Sequence, residues 1–185
     1  MHVDLAWQAL QWPGMEHVIV SLDGGGFRAD SQLIVAETDA RRVDYQLECD
    51  SAWRVIALTV TVSHATGERT LALSLEEDGR WCTDGRPLPE LAGCVDVDIS
   101  RSPLTNTLPI RRLSWSAGEA RDLDVAYVRV PELAVTKVRQ RYTMLRADPA
   151  VFRYESGSFQ ADLPVDGDGF VVDYPGLWRR VGRAT

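Results

Sequence analysis

Lysine is almost missing from this chain: Lys137 is the only one, and the other 19 of its 20 basic residues are arginines. Asp and Glu total 27, leaving a formal net charge of -7, which argues against a nucleic-acid partner because phosphate binding draws on a basic surface that releases counterions. Cysteine is scarce too. Cys49, Cys82 and Cys94 form an odd set without C-x-x-C spacing, so neither a zinc site nor a disulfide framework is indicated, and buried thiols in a reducing compartment are expected. No run approaches the roughly 20 apolar residues of a membrane span. The stretch from Met1 to Leu10 carries Asp4 and no basic segment, so the expected address is the cytoplasm.

Catalytic and cofactor signatures are also lacking. There is no G-x-S-x-G, and His2, His17 and His64 are neither paired at ligand spacing nor set in H-E-x-x-H, so no metal, cofactor or catalytic triad is implied. Gly24-Gly25-Gly26 is followed by Phe27-Arg28-Ala29 rather than Lys-Ser/Thr and a helix, which excludes a phosphate-cradling loop. Asp166-Gly167-Asp168-Gly169 begins like a calcium loop, but Phe170 and Val171 stand where a ligand and a glycine belong, so it reads as a hairpin turn.

What the chain has in abundance is period-two alternation. Val43, Tyr45, Leu47 and Cys49 alternate with polar residues, as a half-buried strand requires. Val55 to Val62 is apolar or mildly polar on both faces and reads as a central strand, with Ile56, Leu58, Val60 and Val62 sharing one face. Leu71, Leu73 and Leu75 point one way, and Glu77-Asp78-Gly79-Arg80 then marks a hairpin. Further strands carry Leu123, Val125 and Tyr127; Val138, Gln140, Tyr142 and Met144; and Phe170, Val172 and Tyr174. Turns fall at Ala117-Gly118-Glu119 and Ser156-Gly157-Ser158. The pattern predicts a mostly β, single-domain protein spanning residues 1–185. The only helix candidates are short, at Asp4 to Leu10 and Pro87 to Leu91. Between Trp81 and Leu113, Pro87, Pro89, Pro103 and Pro109 forbid a long central strand, which makes this segment the natural functional loop region.

Three functional readings suit these residues. The six tryptophans and the arginine-rich charge suit a noncatalytic site for a sugar or lipid head group, while a strand such as Val55 to Val62, apolar on both faces, suits the wall of a cavity for an acyl tail. Alternatively, Asp96 and Asp98, about 7 Å apart on one side of an extended segment, match the paired carboxylates of a carbohydrate-active hydrolase. Pairing of these acids with Arg111 or Arg112 is the structural alternative. The third reading is a structural or protein-interaction module with a solid core. Arg139 and Arg141 project together, opposite Gln140 and Tyr142, and suit either a polar lining or a solvated face with cross-strand ion pairs. The candidate ligand-binding residues are Trp53, Arg54, Trp81, Asp96, Asp98, Asn106, Arg111, Arg112, Arg139, Arg141 and Tyr142.

Gly93-Cys94-Val95-Asp96-Val97-Asp98-Ile99, followed by Ser102-Pro103-Leu104-Thr105-Asn106-Thr107-Leu108-Pro109-Ile110-Arg111-Arg112-Leu113, resembles the signature of the bacterial glycolipid-binding family, formerly a domain of unknown function. Flanking stretches resemble it as well, among them Trp12-Pro13-Gly14-Met15-Glu16, Trp53-Arg54, Arg139-Gln140-Arg141-Tyr142 and Asp173-Tyr174-Pro175-Gly176-Leu177-Trp178. The resemblance implies a spiral β-roll of antiparallel strands, similar in shape to bacterial lipoprotein carriers. It also implies a glycolipid or acyl-chain ligand in the concavity of the curled sheet. It brings no catalytic residues.

Overall fold

The computed structural model describes residues 2–36 and 40–185. Among these, fifteen strands form two sheets. The larger sheet begins as an antiparallel meander of β1 (His2–Ala9), β2 (Gly14–Asp23), β3 (Gly26–Ala36), β4 (Ala40–Asp50), β5 (Val55–His64), β6 (Gly67–Leu75), β7 (Trp81–Thr83) and β8 (Arg86–Pro87). The smaller is built from β9 (Asp96–Ile99), β10 (Ala120–Arg129), β11 (Ala134–Ala147), β12 (Ala150–Ser156) and β13 (Phe159–Pro164). The chain then returns: β14 (Asp173–Tyr174) pairs with β15 (Trp178–Ala184), and β15 pairs with β1. The larger sheet is open, with β14 at one end and β8 at the other.

The mostly β expectation holds, with four local differences. Residues 4–10, expected as a helix, belong largely to β1, where Val3, Leu5, Trp7 and Ala9 are buried while His2, Asp4 and Gln8 face water. That period of two is favoured because β1 is flanked by β2 and β15, which satisfy its backbone on both sides. In β5, a register shift opposite Glu48 and Cys49 turns Val55 inward and leaves Ile56 46% exposed, although alternation alone places Ile56 with Leu58. Phe170, Val172 and Tyr174 do not form a full strand: a single bridge, Val165 to Val171, precedes the two-residue β14, and Pro175-Gly176 ends it. Finally, the Pro87–Leu91 helix candidate is a single 3-10 turn at Pro89–Leu91, whereas a true helix, α1 (Thr107–Arg112), lies in the proline-rich loop region. Pro109 is tolerated there because it sits in the first turn, where the missing N–H has no helical acceptor to serve.

One strand pair departs from the antiparallel expectation: β9 and β10 are parallel, and a parallel pair needs a crossover. The segment 100–119, holding a 3-10 turn at Leu104–Asn106 and then α1, makes that crossover. Its Leu104, Leu108 and Ile110 join Val3, Leu47 and Val60 of the larger sheet and Val128, Phe152 and Leu163 of the smaller in one hydrophobic core. Leu58 and Val60 of β5 are completely buried in it. The β5 wall expected to border an acyl cavity is therefore packed against neighbouring side chains.

Candidate functional site

An open space lies where residues of the two sheets meet. A cleft of about 750 Å³ is bordered by Trp12 from the β1–β2 turn, by Asp98 to Ser102 at the exit of β9, and by Asn106 of the crossover. Tyr127 and Arg129 of β10, Tyr154 of β12, Phe159 of β13, Tyr174 of β14, and Leu177 and Trp178 complete the walls. Aromatic contacts stitch this seam. Tyr154 meets Tyr142 at 5.3 Å, Phe159 at 6.1 Å and Tyr174 at 6.2 Å between ring centroids, and Trp12 stands edge-on to Trp178 at 5.3 Å. The Arg101 guanidinium lies 4.7 Å above the Trp12 ring, so a cation borders an aromatic wall.

Asp98 is the buried acid in this lining. Alternation along β9 turns Asp96 and Asp98 to the same face, and the parallel register places Asp98 beside Tyr127. Its Oδ1 accepts from Thr105 Oγ1 at 2.9 Å, and its Oδ2 accepts from Gln140 Nε2 at 2.6 Å and, more weakly, from Tyr154 Oη at 3.4 Å. Burial raises the Asp98 carboxyl above its ordinary range, and these three donors partly offset that rise. The phenols of Tyr127, Tyr154 and Tyr174 are raised in turn, first by burial and then by the Asp98 charge, so they are hydroxyl groups at neutral pH.

A second buried acid lies behind the cleft. Glu16 occupies an inward position of β2, and its Oε1 accepts from Ser31 Oγ at 3.0 Å, Tyr45 Oη at 2.7 Å and Ser102 Oγ at 2.8 Å. Ser102 lines the cleft. Burial pushes the Glu16 carboxyl up to about 7 against the effect of those three hydroxyls, and its Oε2 has no hydrogen-bond partner among the described residues. Glu16, Ser31, Tyr45 and Ser102 were not among the sequence candidates. The available signal was a lone acid on the otherwise small and apolar inward row Gly14, Glu16, Val18, Val20.

Of the sequence candidates, the structure brings Asp98 and Asn106 into the cleft lining, and Tyr142 stands behind them, accepting from Asn106 Nδ2 at 2.8 Å. Asp96 is not part of the cleft lining and forms a bidentate pair with Arg112, whose Nε and terminal N–H donate at 2.9 and 2.6 Å. The two acids, although neighbours on one face, do not share a cleft. Trp53 packs on Phe27 at 4.7 Å beneath Arg111, outside the cleft. Arg54 is exposed beside it. Trp81 is buried and donates its Nε1 to the Cys94 carbonyl. Arg139 and Arg141 face solvent, paired across the strands with Asp122 and Asp124. No group of three or more His, Cys, Asp or Glu side chains suited to a metal comes together among the described residues. No helix among them is long and apolar enough to cross a membrane.

The class defined by this architecture is an all-β protein of two sheets with an aromatic cleft at their seam. Within that class, the chain belongs to the family described as "Putative glycolipid-binding", which it matches over residues 4–180. It is also similar to a crystal structure of a DUF1089 family protein from Pseudomonas aeruginosa, at 37% identity and a TM-score of 0.81, covering 90% of this chain and 92% of that one. No curated protein matches the chain.

Proposed function

We propose that this protein is a noncatalytic binder of a glycolipid or acyl lipid, and that the ligand occupies the cleft between the sheets. The observation that carries this reading is the lining itself. Trp12, Tyr154, Phe159 and Tyr174 offer apolar ring faces, while Asp98, Asn106 and Ser102 offer convergent polar groups in a space of about 750 Å³, which is the size and chemistry of a small-molecule site. The family description points the same way. The complete burial of Leu58 and Val60 favours the seam over the inner face of the larger sheet as the place for such a ligand.

The test is native mass spectrometry of protein purified from its own host, together with tryptophan fluorescence during titration with glycolipids and fatty acids. Bound lipid, and a fluorescence change that disappears in Trp12→Ala, are expected. Lipid-free protein in repeated preparations, with no response to any added lipid, would remove the reading.

A further inference from the structure

We propose that Asp98 makes the cleft selective for a neutral, hydroxyl-rich head group over an anionic one, an inference that rests on the cleft being the lipid site. Three observations support it. Asp98 lines the cleft although it is almost wholly buried, and donors to both of its oxygens favour the ionised form against that burial, so a guest beside it meets a carboxylate where water screens poorly. Its partners there, Thr105, Gln140 and Tyr154, are neutral donors that orient the carboxylate without cancelling its charge. They use three of the roughly four lone-pair sites that a carboxylate offers, leaving acceptor capacity for a donor from the guest.

A sugar hydroxyl can use that remaining capacity, and its ring can lie on the neighbouring aromatic faces. A phosphate monoester or carboxylate is mostly deprotonated at neutral pH and brings like charge against Asp98. Arg101 and Arg129 also border the cleft and would attract an anion. Arg129 is solvent-exposed and Glu132 lies on the same rim, so attraction at Arg129 is screened by salt, while the half-buried Arg101 lies against the face of the Trp12 ring.

The probes are octyl glucoside and octyl phosphate, which share one tail, titrated below their micelle concentrations into the wild type, Asp98→Asn, Trp12→Ala and Phe159→Ala. Wild type is expected to bind the glucoside about tenfold more tightly, the size of one hydrogen bond to a charged acceptor. Asp98→Asn should shrink that preference to about threefold or less. The wild-type comparison stands by itself if the variant fails to fold. Equal or tighter binding of the phosphate by wild type, or an unchanged preference in a folded Asp98→Asn, overturns the inference while leaving the cleft as the lipid site if Trp12→Ala and Phe159→Ala weaken both probes. If those two variants bind both probes as wild type does, or if neither probe binds, the cleft reading and the inference fall together.

Discussion

Ser102 donates its hydroxyl to Glu16 across 2.8 Å, joining the crossover that borders the cleft to the inward face of the larger sheet. The bond is part of a polar stripe that also holds Ser31 and Tyr45, set among side chains that are otherwise apolar. A buried acid with one crowded oxygen and one without a partner among the described residues makes stability depend on pH.

The sign follows from the direction of the shift. Below pH 4.5 Glu16 is protonated in both folded and unfolded chains. Between 4.5 and about 7 the unfolded chain ionises while the folded one holds its proton, so stability falls as pH rises and levels off above 7. The span corresponds to ~3 kcal/mol. Glu16→Gln should remove this slope, which urea unfolding of both proteins at pH 5 and pH 8 will measure. A stability difference between them that is the same at both pH values would contradict the assignment.

Arg112→Ala should destabilise the fold by about 3–5 kcal/mol, because it strands the buried Asp96 carboxylate. Lipid affinity should be unchanged in the folded fraction, since neither residue borders the cleft. Denaturant midpoints and lipid titration check the two halves separately.

Gly26 and Gly24 should behave oppositely. A Cβ on Gly26 would lie 2.1 Å from the Cys49 carbonyl oxygen, in a hairpin whose Asp23 carboxylate already accepts from the Gly25 and Gly26 amides. Gly26→Ala should cost about 1–3 kcal/mol. Gly24, where a Cβ meets nothing within 4 Å, should tolerate alanine within about 0.5 kcal/mol. Thermal melts of the two variants decide this.

Phe159 is 40% exposed at the lip of the cleft. Phe159→Ala should change stability by less than about 1 kcal/mol and weaken octyl glucoside binding about tenfold, the order expected when an alkyl chain no longer has a ring to pack on. A drop in stability with affinity intact would assign the ring to packing instead.

The three cysteines are free and buried, and burial pushes the Cys94 thiol up to about 11 and the Cys49 thiol higher still. A thiol-exchange reagent at pH 8 should leave both unreacted in the folded protein and label them in urea, because the thiolate is the attacking form. Rapid labelling of either in native protein would contradict their burial.

The sequence by itself determined the β character, the strands from Val43 to Leu75 and from Leu123 to Met144, and the turns between them, because period-two burial is written in nearest neighbours. It also marked Asp98, Asn106 and Tyr142 through one recognisable stretch and one strand. Only the tertiary structure decided that residues 4–9 extend rather than coil, since that choice rests on β15 arriving from the other end of the chain to pair with β1. The separation of Asp96 from Asp98 was decided in the same way. Arg112 and Gln140 reach the two acids from different elements, and burial, which alternation cannot measure, made one an ion pair and the other a cleft acceptor. Glu16 became the partner of Ser102 for the same physical reason: a contact across 86 residues depends on how two sheets meet.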